Sequence, residues 1–364
     1  MNETITDKQA ISIIFLSILG SSVVLGTARP AKGDAWISII FAILISLIIG
    51  LCYARLLRNF HGKNFFEICE IVFGKVIGKI FIVIYIWYAL FINALIIRDI
   101  GEFIYVIGIV NIREISQVFT MTAMMLLCIY MAKKNIPTLG RFCAFFLPVV
   151  IFMLSMGYIL SINNMTPNNL LPIMYDGIKP IINGILSSIG FPFTESIVFI
   201  MIFNSLQNKN STSKVLTKGV LFAGLLLLFI TVCDIMILGS NTLSISYFPS
   251  YTSLRRISIG NFFERVELTM ILSFIFGVFV KSTCYLIAAS KGIACLFNLK
   301  DYTFISTPLG FLVVSISYLL YENLREFWET TLFDTYNALF FQIILFLVVF
   351  IGAEIKIRKH KMTL

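Results

Sequence analysis

Runs of about 20 apolar residues recur from one end of this 364-residue chain to the other. Each is long enough to cross a bilayer as a helix, because a helix rises about 1.5 Å per residue and the hydrocarbon layer is about 30 Å thick. Reading for such runs predicts ten spans, over 9–30, 34–57, 78–108, 115–132, 140–160, 179–206, 214–240, 265–297, 304–321 and 336–355. Nothing between them is large enough for a water-soluble domain. Charged residues make up only 13% of the chain, against about 25% in a soluble domain. Trp36 opens the second span, Trp328 and Tyr336 precede the tenth, and Tyr247 and Tyr251 follow the seventh, as expected for aromatic residues at the interface. Pro137, Pro167, Pro172 and Pro249 fall in connections. The polar stretch Met1 to Gln9 followed directly by the first run reads as the start of the first span and not as a cleavable leader.

The net charge of +9 is a topology signal. With the N-terminus inside, the inner segments hold 18 of the 28 Lys and Arg residues, including Arg55, Arg58, Lys209 and Lys356, and the outer segments hold 7, including Arg29 and Arg113. The positive-inside rule then places both termini in the cytoplasm and requires an even number of spans. Basic residues scattered in short clusters give no continuous basic face, which excludes a nucleic-acid partner. The seven cysteines form no CxxC and only His61 and His360 could join them, so no metal site or cofactor is expected. No GxSxG, P-loop, HExxH or GxGxxG occurs. Glu264/Glu267 and Glu322/Glu326 lie at a span end and in the outer loop before the last span, and an enzyme is not expected.

The spans divide into two sets of five, a first repeat over 9–160 and a second over 179–355, followed by a basic tail, 356–364. In each set the third span is unusually long, about 31 and 33 residues, and the first is interrupted near its middle. Five spans per set turns the second set upside down, the inverted-repeat plan of many secondary transporters. The first interruption is Gly20-Ser21-Ser22 and the second Gly190-Phe191-Pro192. Glycine weakens a helix by about 1 kcal/mol relative to alanine; proline removes a backbone donor. Unpaired backbone at mid-membrane depth is tolerated only against protein or a wet cavity. Two readings are open: plain kinks, or a ligand site whose half-helix N-termini attract a carboxylate and whose unwound carbonyls attract a cation. An α-amino acid carries both groups. The matching positions of the two breaks favour the ligand site.

Ionisable side chains inside the apolar runs sharpen this. Each costs about 2.5–3.5 kcal/mol on insertion scales, so Glu195, Lys281, Arg98, Asp99 and Glu102 are functional candidates. Lys281 has Tyr285 four residues on, on the same helix face. Lys281 either supplies a fixed cation beside the first break, where sodium sits in ion-coupled relatives, or pairs with Glu195 or a ligand carboxylate; a structural ion pair is the competing account. Arg98, Asp99 and Asp234 lie nearer the outer interface and read more readily as structural partners.

Gly33-Asp34-Ala35-Trp36, the segment Gly190 to Glu195, and Phe248-Pro249-Ser250-Tyr251 leading to the stretch Arg256 to Glu267 together resemble the B subunit of bacterial spore germinant receptors, a branch of the amino acid–polyamine–organocation superfamily. The resemblance covers essentially the whole chain. It implies an all-α, LeuT-like fold of ten transmembrane helices with broken helices 1 and 6, in the inner membrane of a spore. It also implies assembly with an A subunit and a lipoprotein C subunit, and sensing of a small-molecule nutrient such as an amino acid. Pockets of that family are lined by the first, third, sixth and eighth helices, which by position points to Gly20, Ser21 and Ser22, to Phe91 and Leu95, to Phe193, Thr194 and Glu195, and to Lys281 and Tyr285. A lysine at 281, where alanine-sensing members would carry a smaller polar residue, points to an acidic or larger ligand. The alternatives are an ion- or proton-coupled amino acid permease and a germination channel subunit.

Overall fold

The computed structural model describes residues 4–108, 116–203, 206, 208, 211–256, 265–322 and 324–362. Arg113 and Lys209 of the charge asymmetry, Glu264, and positions 257–264 of the resemblance lie outside the described residues. The described chain is helical, with one isolated backbone bridge, Ile5 to Leu206. Among the described residues eight helices are long and apolar enough to cross a membrane, and two shorter apolar ones, Gln117–Lys133 and Ser306–Leu319, fall where the fourth and ninth spans are expected.

The first expected span is two helices, α1 (Asp7–Leu19) and the single turn α2 (Ser22–Leu25). A capping box, with the Thr6 hydroxyl and the Gln9 side chain each bonded to the other's backbone N–H, starts α1. Then follow α3 (Ala35–Asn59), α4 (Phe65–Ile107), α5 (Gln117–Lys133) and α6 (Ile136–Leu160). The sixth span is α7 (Ile178–Ser188), an irregular stretch, and α8 (Ile197–Ile202). The rest is α9 (Thr212–Ile245), α10 (Pro249–Arg255), α11 (Glu267–Leu296), α12 (Ser306–Leu319), α13 (Leu324–Glu329), α14 (Thr331–Leu339) and α15 (Phe346–Met362).

Two boundaries differ from expectation. The helix of the third span starts at Phe65, behind an Asn64/Glu67 capping box, and kinks at Gly74 (φ 80°, ψ 176°) before the expected span begins. Only glycine adopts that conformation without strain, so the apolar pattern of the span hides a helical approach in front of it. At the other end α15 continues through the expected tail as far as Met362, and Glu354 anchors it to α3 through Arg55 at 2.7 Å.

The first, sixth and eighth spans are the most enclosed, with 83%, 78% and 78% of their central residues buried, against 28% for α6 and 33% for the last span. The α11 helix packs along α4 and also touches α1, α5 and α6, while α1 rests on α9 and α6. The two broken spans and α11 therefore form the centre. Large apolar side chains such as Ile48, Phe119 and Phe152 point outward from the surrounding helices, as a hydrocarbon environment requires.

Candidate functional site

The α1 helix ends because Gly20 leaves helical geometry (φ 16°, ψ −125°). The Ser22 hydroxyl then caps the freed carbonyls of Ile18 and Leu19 at 2.6 and 2.8 Å. The break sits directly on α11. A Cβ at Gly277 would come within 2.8 Å of the Gly20 Cα, and one at Gly20 within 2.7 Å of the Lys281 Cδ. Two glycines thus permit the approach that lays the Lys281 stem along the first break.

In the second break Phe191 is extended (φ −141°, ψ 116°) ahead of Pro192, and Thr194–Ser196 form a tight turn before α8. The Lys281 ammonium reaches the Glu195 carboxylate at 2.5 Å, both side chains buried (1% and 8% exposed), and lies 4.5 Å from the centre of the Phe191 ring. One lysine therefore joins both breaks: its stem packs on the first and its charge meets the second.

The structure narrows the expectation of open carbonyls and helix N-termini at the breaks. The chain's own hydroxyls occupy several carbonyls that flank the breaks. Thr194 donates to Ile189 at 2.7 Å, Tyr53 to Thr194 at 3.4 Å and Tyr285 to Glu195 at 3.5 Å. The helices that leave the breaks, α2 and α8, have four and six residues, too few aligned peptides for a substantial dipole. Side chains carry what polarity is left for a ligand.

Beside the second break and Lys281 lies a cavity of about 510 Å³, walled by the segment after α2, by α4, α7, α11, the end of α9, and α14. Of the expected residues Leu95, Gly190, Glu195 and Lys281 line it. Gly20, Ser21 and Ser22 are not part of that lining, and the buried Ser21 hydroxyl faces the Asp99 carboxylate. Phe193 is fully buried and packs toward Gly224 of α9. Phe91 stacks on the outward-facing Trp87, 5.4 Å between ring centres, and stays outside the lining. Tyr285 reaches the backbone carbonyl of Glu195, and Thr194 belongs to a separate network.

That network centres on Gln342, in the irregular turn 340–345 of the last span. Its amide bridges the Thr194 and Tyr88 hydroxyls, and its carbonyl accepts from Tyr53 at 2.7 Å. Tyr85 donates to the neighbouring Phe341 carbonyl at 3.0 Å. These groups clamp the last span to the second break. A lone glutamine in an apolar run is the sequence signal for it. Gln342→Leu is expected to cost about 1–3 kcal/mol by leaving buried hydroxyls unpaired. A lower thermal midpoint in detergent or nanodiscs would show it, and an unchanged midpoint would exclude the clamp.

The ionisable candidates divide cleanly. Arg98 meets Glu102 at 2.6 Å and donates to the Ser317 and Tyr318 carbonyls, fastening α4 to the end of α12. Asp234 accepts from Tyr158 and Ser250 at 2.8 and 2.6 Å. Both are structural. Asp99 is not: it is buried, lines the cavity near the Ser21 hydroxyl and forms no ion pair among the described residues. It lies four residues beyond Leu95, on the face already assigned to the pocket, which is the spacing that identifies it. Arg29 and Asp334 complete the charged lining.

The same arrangement of helices occurs in Mhp1, a nucleobase-cation-symport-1 family transporter solved in a closed conformation with bromovinylhydantoin bound. The TM-score is 0.73 over 92% of this chain and 76% of that one, at 11% sequence identity, so the likeness is one of fold, LeuT-like as the resemblance implied. Sequence relatives are more specific. Spore germination protein KB of Bacillus subtilis (strain 168) is 25% identical over 362 residues, 98% of this chain and 96% of that protein. Spore germination protein YndE of the same organism is 24% identical over 305 residues, 81% and 82% of the two chains. Spore germination protein XB of Bacillus anthracis is 22% identical over 254 residues, 68% of each. Residues 4–327, a stretch that includes both breaks, Asp99 and Lys281, match the spore germination protein model as a whole. This integral membrane protein therefore belongs to the spore germination protein (spore permease) family.

Proposed function

We propose that the protein is the nutrient-sensing subunit of a spore germination receptor and binds an amino acid in the cavity between its two broken helices. The observation that carries this is Asp99, a buried carboxylate in the wall of a cavity of about 510 Å³, with no cation paired to it among the described residues. A charge so placed is costly inside a membrane, and a ligand ammonium offsets that cost. Family membership supports the role in germination. In this reading the A and lipoprotein C subunits are its partners and the spore inner membrane its location. Both termini are cytoplasmic, and the halves 9–160 and 179–355 are inverted repeats whose relative tilt reports occupancy. Ligand binding shifts the balance between two conformations by its difference in affinity for them.

The second reading, an amino acid permease, is favoured by the fold shared with a cation symporter. The two differ in a measurable way. Lys281 already supplies a cation beside the first break, so binding is expected to need no sodium. Purified protein in proteoliposomes should bind radiolabelled amino acid saturably, equally with sodium or choline chloride, and without accumulation. Sodium- or proton-driven accumulation would replace the sensor with the permease, and conductance without saturable binding would replace it with a channel.

A further inference from the structure

The charge of the cavity specifies more than an amino acid. Five acidic or basic side chains line it: Arg29, Asp99, Glu195, Lys281 and Asp334. Glu195 and Lys281 neutralise one another at 2.5 Å. Arg29 is held at the wall by the Ser244, Ser246 and Tyr247 carbonyls, at 3.4, 2.7 and 3.4 Å, with its guanidinium 3.8 Å above the Trp328 ring. None of these partners carries a charge, so its positive charge is not cancelled locally. Asp334, in the first turn of α14, accepts from the Tyr321 hydroxyl at 3.2 Å. Neither Asp334 nor Asp99 is in an ion pair among the described residues.

The cavity therefore presents two carboxyl groups and one guanidinium, on three different elements of its wall, and with all of them ionised it carries one net negative charge. A neutral zwitterion such as alanine would leave that charge uncompensated. An acidic ligand, expected from Lys281 in the sequence, would add to it, since Lys281 is already taken by Glu195. In a cavity with a mostly apolar lining an unmatched charge is a strong discriminator.

Resting on the amino acid reading above, we infer that the ligand is a basic amino acid of the lysine, ornithine or arginine class, with Asp334 as the second cation subsite. The three unpaired charges then find complements: the ligand carboxylate at Arg29, one cationic group at Asp99 and the other at Asp334. Asp334 acts as the specificity residue, because Asp99 serves the α-ammonium of any amino acid equally.

Lysine and norleucine have the same carbon chain and differ at the far end, so they test this directly. Calorimetric titration of the purified chain in nanodiscs is expected to give lysine about 10- to 100-fold tighter binding than norleucine, the range of one hydrogen-bonded charge. In Asp334→Asn, an isosteric change that keeps an acceptor for Tyr321, the preference should fall to near unity with norleucine affinity retained. That retention also shows that the variant is folded. Norleucine or alanine bound as tightly as lysine by the unaltered protein overturns the basic-ligand inference and leaves the amino acid reading intact. An undiminished lysine preference in Asp334→Asn overturns the role of Asp334. No binding of any of the three overturns both readings together.

Discussion

Lys281→Met is expected to destabilise the folded protein by about 3–5 kcal/mol, the usual consequence of stranding one member of a buried ion pair. The Glu195 carboxylate, 8% exposed, would lose the ammonium now 2.5 Å away. Glu195→Gln should be comparably harmful, because it strands the lysine against Gly20 and the Phe191 ring. The double variant removes both charges and is expected to recover most of the loss, since neutral replacements of a buried pair are often near neutral. Equilibrium unfolding or thermal midpoints of the four proteins give the coupling directly. Additive losses would show that the two residues do not depend on one another, and that the breaks are not tied through α11.

Asp99→Asn is expected to have the opposite signature. No cation is ion-paired with the carboxylate among the described residues, and an isosteric amide can still accept from the Ser21 hydroxyl, so the thermal midpoint should stay unchanged or rise. Affinity for an amino acid should nevertheless fall by about 10- to 100-fold, the loss of one charged hydrogen bond to an ammonium. Titration calorimetry beside a melting curve checks both halves. Unchanged affinity would remove Asp99 from the site.

The breaks and the Lys281–Glu195 pair were legible in the sequence for one reason. Glycine, proline and charge are expensive in a membrane helix, and each stands out against an apolar background. What was less legible depends on orientation. Phe91, Leu95 and Asp99 are spaced by four, but each step of four residues advances about 40° beyond a full turn. That drift turns Phe91 out toward Trp87 and brings Asp99 in to the cavity. Carbonyls that flank the two breaks, those of Ile18, Leu19, Ile189, Thr194 and Glu195, are reached by Ser22, Thr194, Tyr53 and Tyr285, the last two from spans far away in sequence. Local reading cannot see a hydroxyl that arrives from another helix. Gln342 was hidden in the same way: its partners lie on α4, on α3 and in the second break. The positive φ at Gly74 likewise concealed how far α4 extends.

The central claim is that a ligand sits in the cavity beside the second break and Lys281. A structure of the protein determined in saturating lysine tests it most directly. The amino acid is expected inside the cavity, with an ammonium within hydrogen-bond distance of Asp99 and the Lys281–Glu195 pair intact beside it. Lysine bound elsewhere on the protein, or an empty cavity under conditions where binding is saturated, would contradict it.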